Sequence, residues 1–429
     1  MFKNIKKIHF IGIGGIGVSA LAKMMLLLKK KVTGSDLSEN IANQRIKKLG
    51  GKVLLGHKKS NISKDIDMVV HTPAIKQDNP ELIEAKKINI LTYSYPEALG
   101  LISKEKYTIA VSGTHGKTTT TAMLAETMIS AKKDPTVIVG SFLRKQKDNF
   151  IPGQSKYFLV EACEYKESFL NLYPDILIIT NIDNDHLDYF KNIKNIQKVF
   201  AKMISKVPKD GFIICNPNDK NTKQALKLAK TKSEIIDYTK EKKLKLKVPG
   251  DHNIANAQAA LVASKLIDIK KTQAEKYLKE YFGVWRRFEY KGKTKKGALI
   301  YDDYAHHSTE VKATIKAFRE KFEKKKIYIV FQPHLYSRTK LLINDFAQSF
   351  NAADQVIITD IYAAREKDTN LIHAEDLVKE IKKYNPFVRY ISDFKDIVKY
   401  LKQDTSKNDI VVTMGAGDIY KISENLTDI

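Results

Sequence analysis

The sequence predicts an α/β protein of three domains, each a mainly parallel sheet with helices packed on it. Three observations carry this prediction. The chain has 429 residues, enough for about three cores at roughly 150 residues each. Apolar runs alternate with helical patterns over almost its whole length, the signature of successive βαβ units. The runs also fall into three blocks, parted by polar or basic stretches near SKEKY (103–107) and FGVWRRFEY (282–290). The expected domains are therefore 1–104, 105–284 and 285–429.

In the first block IHFIGI, KVTGSD and DMVVHT read as strands with helices between them. Gly12, Gly14, Gly15 and Gly17 lie between the first strand and its helix. Such a turn lets backbone N–H groups and a helix N-terminus approach a diphosphate, so the block reads as Rossmann-like. Asp36, about 20 residues on at the end of the next strand, suits a ribose hydroxyl. His71 opens HTPAIKQDNP, a loop at the same sheet edge, and is a candidate small-molecule contact beside the alternative of a solvated histidine. A structural tight turn and an NAD-dependent dehydrogenase both compete for this glycine pattern. The stretch from MFKNIKK into IHFIGIGGIGVSALA also has the outline of a signal peptide, but four glycines would weaken an apolar helix there.

The second block holds the stronger motif. YTIAV reads as a strand, SGTHGK as a turn and TTTTAMLAETMI as a helix, which predicts a P-loop-type central sheet. Lys117 is placed to neutralise β- and γ-phosphate charge, and the Thr118 hydroxyl to ligate magnesium. The spacing departs from the usual phosphate loop: the first glycine is expected at Val111 and stands at Gly113. YFLVEACEY ends a strand at Glu161, and LIITNIDNDHLDYF puts Asp183, Asp185 and His186 beyond another. Parallel strands bring these ends to one edge beside the loop, where carboxylate and imidazole can hold magnesium against phosphate oxygens. Glu161 and His186 are the preferred candidates. VPGDHNIANAQAALVA is a glycine turn entering a helix, with His252, Asn253 and Asn256 on about one turn; amides there suit an adenine edge or phosphate, or simply cap the helix.

The third block again alternates: ALIYDDYA, KIYIVFQPH, QVIITDIY and DIVVTMGAG are strands, a second Rossmann-like pattern. Arg286 and Arg287 precede it, and arginine can stabilise charge on a transferring phosphoryl group. Asp302, Asp303, His306 and His307, then His334 and Arg338, then Gly415 and Gly417 all fall at strand ends, and so many polar strand ends in one block suggest a binding face.

Composition narrows the class. The net charge is +25, yet lysine dominates and is spread out. No arginine cluster interleaved with aromatics suggests base stacking, so no nucleic-acid partner is expected. No apolar run nears the ~20 residues of a membrane span. Cys163 and Cys215 lie far apart without CxxC spacing, which fits a reducing compartment. Cys163 reads as a small packed side chain rather than a nucleophile. The expectation is a cytoplasmic protein.

Taken together, HFIGIGGIGVSALA, VSGTHGKTTTTAML, VEACEYKESFL, TNIDNDHLDYF, PGDHNIANAQAA, RRFE, DDYAHHSTE, FQPHLYSR and MGAGDIY resemble the Mur ligases of bacterial cell-wall synthesis. The resemblance spans nearly the whole chain and is closest to the member that attaches L-alanine. It implies a UDP-sugar domain, an ATP domain, and a third domain for amino-acid binding and closure. It implies ATP contacts at Gly113, Thr114, His115, Gly116, Lys117, Thr118, Thr119, His252, Asn253 and Asn256, and magnesium at Thr118, Glu161 and His186. It implies a UDP-sugar site at Gly12, Gly14, Gly15, Gly17, Asp36 and His71, and a substrate pocket with His306, His307, His334 and Arg338. Lys117, Arg287 and Asp303 are the implied catalytic residues. Two positions depart from the pattern: Leu335 where arginine is usual, and Ser308 where proline is common.

The implied reaction joins L-alanine to the lactyl carboxylate of UDP-N-acetylmuramate through an acyl phosphate, with ATP and magnesium, in a monomer or homodimer. The rivals are a sister ligase that attaches a preformed peptide, a nucleotide-dependent switch, and a dehydrogenase.

Overall fold

A computed structural model describes residues 2–364, 366–368 and 370–427. Met1, Asp428 and Ile429, at the outer ends of the first and third predicted domains, lie outside the described residues. The strands form three sheets of five, seven and six members.

The first sheet contains β1 (Lys7–Ile11), β2 (Lys31–Asp36), β3 (Lys52–Leu55), β4 (Met68–His71) and β5 (Leu91–Ser94). They are all parallel, in the order β3-β2-β1-β4-β5. Central β1 buries Ile8, His9, Phe10 and Ile11 completely, because helices cover both faces of a parallel sheet. Strand order reverses between β1 and β4, so the glycine turn after β1 opens at the topological switch point, where such sheets bind ligands. The helices are α1 (Ile16–Leu27), α2 (Ile41–Lys48), α3 (Pro80–Lys87) and α4 (Tyr95–Ser103).

The second sheet contains β6 (Tyr107–Ser112), β7 (Thr136–Leu143), β8 (Asp148–Ile151), β9 (Tyr157–Glu161), β10 (Ile176–Ile179), β11 (Phe212–Cys215) and β12 (Glu234–Asp237). Its order is β12-β11-β10-β6-β9-β7-β8. With β6 between β10 and β9, the loop after β6 emerges beside the ends of both neighbours. The antiparallel β7–β8 hairpin at the edge departs from the expected parallel pattern. Helix α5 (Lys117–Ser130) follows β6, and then come α6 (Leu187–Phe190), α7 (Ile193–Ile204), α8 (Lys220–Ala229), α9 (Asp251–Leu266) and α10 (Lys271–Glu280).

The third sheet runs β13-β14-β18-β15-β16-β17, from β13 (Glu289–Lys293), β14 (Leu299–Asp303), β15 (Lys326–Phe331), β16 (Gln355–Ile358), β17 (Val388–Tyr390) and β18 (Asp409–Met414). Only β13 is antiparallel to its neighbour. Asp303 and Phe331 both lie opposite Met414, so the segments beginning at Tyr304, Gln332 and Gly415 leave the sheet side by side.

By compactness the chain forms two units: residues up to Leu244 with Ala255–Lys279, and Lys245–Ile254 with the chain from Glu280 onward. The first unit joins the first two sheets. The Lys23 side chain on α1 is only 3% exposed and pairs with Asp148 on the β7–β8 hairpin; it also donates to Asn149 Oδ1 at 2.6 Å. Burial lowers the pKa of Lys23 against the opposing pull of Asp148. Gly100 of α4 sits so close to Asn171 O that a Cβ there would lie 2.3 Å from it. Among the described residues, no helix is long and apolar enough to cross a membrane.

Candidate active site

The loop after β6 turns sharply at Gly113 (φ 131°) and Gly116 (φ 84°). A Cβ at Gly116 would also lie 2.4 Å from Asn256 Oδ1, so both conformation and space require glycine there. Gly116 caps α5 without any side-chain hydrogen bond. The first-turn N–H groups of α5 therefore point at whatever anion the loop receives.

The loop is braced from the next strand end. His115 N donates to Asn181 Oδ1 at 3.0 Å and Thr180 Oγ1 to His115 O at 2.6 Å. Thr114 exchanges hydrogen bonds with the backbone of Asp183 at 3.2 and 2.8 Å. His115 Nε2 lies 3.5 Å from Asp183 Oδ2, and Asp185 Oδ1 accepts from His186 N at 2.7 Å. Thr114, Thr118 and Thr119 are buried.

Lys117 folds back on this loop. Its ammonium donates to Gly113 O at 2.5 Å, Thr114 O at 3.0 Å and Glu164 Oε1 at 3.1 Å. Burial alone would lower its pKa; the charge of Glu164, helped by Cys163 and Glu161, outweighs that and holds it above the ordinary value. Thr118 Oγ1 donates to Glu161 Oε1 at 2.8 Å, and Gly140 N to Glu161 Oε2 at 2.7 Å. His186 adopts φ 52°, rests its ring 4.6 Å from that of Tyr165 and brings Nε2 to 3.9 Å from Glu164 Oε1.

Glu164 is thus the residue the sequence reading missed. It is 2% exposed and joins Lys117 to His186. Its signal was the second acid of VEACEY, masked by Glu161 three residues earlier. Cys163 is exposed rather than packed, which corrects the expectation. Desolvation of the thiol and then the Glu164 charge push it up to about 12, so it stays a thiol at neutral pH.

No group of three or more histidine, cysteine or acidic residues that could hold a metal occurs among the described residues. The oxygen pair of Thr118 and Glu161 nonetheless suits magnesium, which takes few protein ligands and completes its shell with phosphates and water.

At the first sheet, Gly12 (φ 76°) and Ile13 donate their N–H groups to Ser35 O at 2.8 and 3.0 Å, and Gly15 N donates to Gly12 O at 3.2 Å. Asp36 reaches back into the turn: Oδ2 accepts from Gly14 N at 2.7 Å and Oδ1 from Leu37 N at 2.8 Å. Gly17 lies in the first turn of α1. His71 ends β4, with Nδ1 3.1 Å from Thr72 O.

In the second unit the two adjacent arginines part ways. Arg286 is 2% exposed and donates to Asp302 at 2.8 Å and to the carbonyls of Gly417 and Gly415 at 2.8 and 2.6 Å. It ties the start of the domain to its last strand. Arg287 is 26% exposed, with Nη1 3.7 Å from Glu310 Oε1, and stacks 5.2 Å from the Tyr304 ring. Asp303 accepts from Phe288 N at 2.7 Å and Ala305 N at 2.8 Å. Burial pushes its carboxyl up to about 6, against the pull of Arg287.

His306 places Nδ1 3.3 Å from Glu310 Oε2 and its ring 5.7 Å from that of His334. Arg338 Nη1 lies 3.2 Å from His334 Nδ1. These three form one cluster with Arg287 and Glu310. His307 is buried and instead caps the helix Ser308–Lys321, accepting from Thr309 N at 3.3 Å. Leu335 is buried at φ 71°. Asn253 donates to Pro249 O at 2.7 Å, and the His252 ring crowds Gly250.

Residues 7–107 match the catalytic domain of the Mur ligase family, 111–244 the Mur ligase middle domain, and 286–417 the Mur ligase glutamate ligase domain. The chain belongs to the Mur ligase family. Among curated Mur ligases it is 43% identical to the UDP-N-acetylmuramate–L-alanine ligase of Caldanaerobacter subterraneus subsp. tengcongensis, over 99% of this chain and 98% of that one. It is also 43% identical to the enzyme of that name from Clostridium acetobutylicum, over 98% and 97%. The solved UDP-N-acetylmuramate–alanine ligase of Thermotoga maritima superposes with a TM-score of 0.82 at 28% identity, covering 98% of each chain. A murein peptide ligase of Psychrobacter arcticus shares the fold at TM-score 0.71 and 23% identity. In this Mur ligase the loop after β6, Glu161, Glu164 and His186 gather at one sheet edge, whereas Arg286 and His307 serve their own domain's architecture.

Proposed function

We propose that the chain is an ATP-dependent ligase joining L-alanine to the lactyl carboxylate of UDP-N-acetylmuramate through an acyl phosphate, in peptidoglycan precursor synthesis. The observation that carries this reading is a phosphate loop whose lysine pairs with a buried carboxylate, in a chain akin throughout its length to ligases of that name. The N-terminal turn holds the UDP-sugar. The α5 N-terminus and Lys117 hold the ATP phosphates, and Lys117 exchanges Glu164 and loop carbonyls for phosphate oxygens. Thr118 and Glu161, with His186, would hold magnesium, which would supply charge neutralisation on those phosphates.

The sugar's carboxylate oxygen attacks the γ-phosphorus and ADP leaves. The alanine amine then attacks the acyl carbon, and phosphate departs with the former carboxylate oxygen. Protein groups mainly position reactants and neutralise charge. Arg287 is the cation proposed for the phosphoryl group. Asp303 holds the turn that presents Arg287, and His306, His334 and Arg338 line the amino-acid pocket. The setting is cytoplasmic, where the nucleotide substrates are.

The test is phosphate release with each component omitted in turn. Release that requires both UDP-N-acetylmuramate and L-alanine, with a new amide seen by mass spectrometry, is expected. ATP turnover indifferent to both substrates would sink the reading, and a tripeptide replacing alanine would shift it to the sister ligase.

A further inference from the structure

Tyr95 is unused by the chemistry above, yet it packs against the first turn of α1, just after the N-terminal glycine turn. It is the first residue of α4, and its backbone is fixed from both sides. Strand β5 pairs with β4 up to Ser94. Ser94 then forms a capping box with Glu97, whose Oε2 accepts from Ser94 N at 2.6 Å, and Pro96 follows. The ring lies against the start of α1: a Cβ at Gly17 would fall 2.6 Å from Tyr95 Cζ and 2.8 Å from its hydroxyl oxygen. Glu161 and Cys163 are near enough for their charges to act on it. Among the described residues its hydroxyl has no hydrogen-bond partner.

The N-terminal turn is short of donors. The N–H groups of Gly12, Ile13 and Gly15 go to backbone carbonyls, and that of Gly14 to Asp36. What the turn still offers an anion is the first-turn N–H groups of α1, which lack intrahelical acceptors and have no side-chain cap. The Tyr95 hydroxyl stands over that same turn of helix.

We infer that the Tyr95 hydroxyl donates a hydrogen bond to the diphosphate of the UDP-sugar seated at the α1 N-terminus, which makes Tyr95 a binding residue for this substrate. The inference rests on the proposed function. The absence of a Cβ at Gly17 is what lets the hydroxyl approach the helix.

The experiment measures calorimetric binding of UDP-N-acetylmuramate, UDP-N-acetylglucosamine and ATP to wild type and Tyr95→Phe, which keeps the ring against Gly17. Loss of a hydrogen bond to a charged group weakens both UDP-sugars by about tenfold and leaves ATP affinity unchanged. Equal UDP-sugar affinities for the two proteins overturn the inference. So does a loss confined to UDP-N-acetylmuramate, which would put the donor on the lactyl carboxylate, and so does an equal loss for ATP, which would make Tyr95 a support of the fold. Wild-type protein that binds neither UDP-sugar overturns the ligase reading itself and this inference with it.

Discussion

The chain contains two strand–glycine turn–helix junctions that start alike and end differently. Both helices, α1 and α5, begin on a glycine cap without a side-chain hydrogen bond, so both offer bare N–H groups to phosphate. The first turn is closed by its own backbone and by Asp36, and no lysine stands at the first position of its helix. The second puts Lys117 there, paired with the buried Glu164, with Glu161 on the neighbouring strand end. A site that only holds a diphosphate needs donors. A site that passes a phosphoryl group on needs a mobile cation and carboxylates to carry metal. On the proposed function, this difference separates binding from reaction within one molecule.

The largest expected effect comes from Lys117→Ala. Removing the cation from the reacting loop lowers kcat by about 10³-fold, while UDP-sugar affinity measured by calorimetry stays as it was. A matching loss of UDP-sugar binding would break the contrast between the turns. Glu164→Gln is next: it frees Lys117 from its ion pair but also loosens its placement, and it lowers kcat by roughly 10- to 100-fold in steady-state assays, in the range of a misplaced catalytic group.

Asp303 sharpens the contrast from a third position. Like Asp36 it accepts two backbone N–H groups, but it is buried, and its carboxyl is raised from 3.8 to about 6. A raised carboxyl pKa favours the fold while protonated. The stability of wild type relative to Asp303→Asn is therefore greatest below about pH 4 and is lost as pH rises through about 6. Urea midpoints across that range check this, and a difference that grows with pH would reverse the assignment. The smallest effect is expected from Asp36→Ala, which loosens the first turn and raises the KM for the UDP-sugar by about threefold to tenfold, as loss of one or two modest hydrogen bonds does. The KM for ATP should not move.

Much of this was legible in the sequence. The central strands are continuous apolar runs, as parallel sheets require, and the glycine and Gly-Lys-Thr patterns marked both turns. What escaped reading had physical reasons. The edge strands β3 and β12 are four residues long and half exposed, so they lack an apolar signature. The β7–β8 hairpin is anchored by Lys23 and Asn149 rather than by pattern. Glu164 starts an irregular segment in which Lys166 and Glu167 take positive φ, so no periodicity predicts where its side chain goes. Arg286 and Arg287 are adjacent, and φ values of 58° at Arg286 and 48° at Phe288 set which of them turns inward.

The central claim is that the second turn delivers the γ-phosphoryl group to a substrate carboxylate. Its most direct test uses UDP-N-acetylmuramate labelled with oxygen-18 in the lactyl carboxylate, with ATP, magnesium and L-alanine, and reads the released phosphate by mass spectrometry. An acyl phosphate requires one labelled oxygen to appear in the phosphate for each amide formed. Amide formation with unlabelled phosphate would contradict the account.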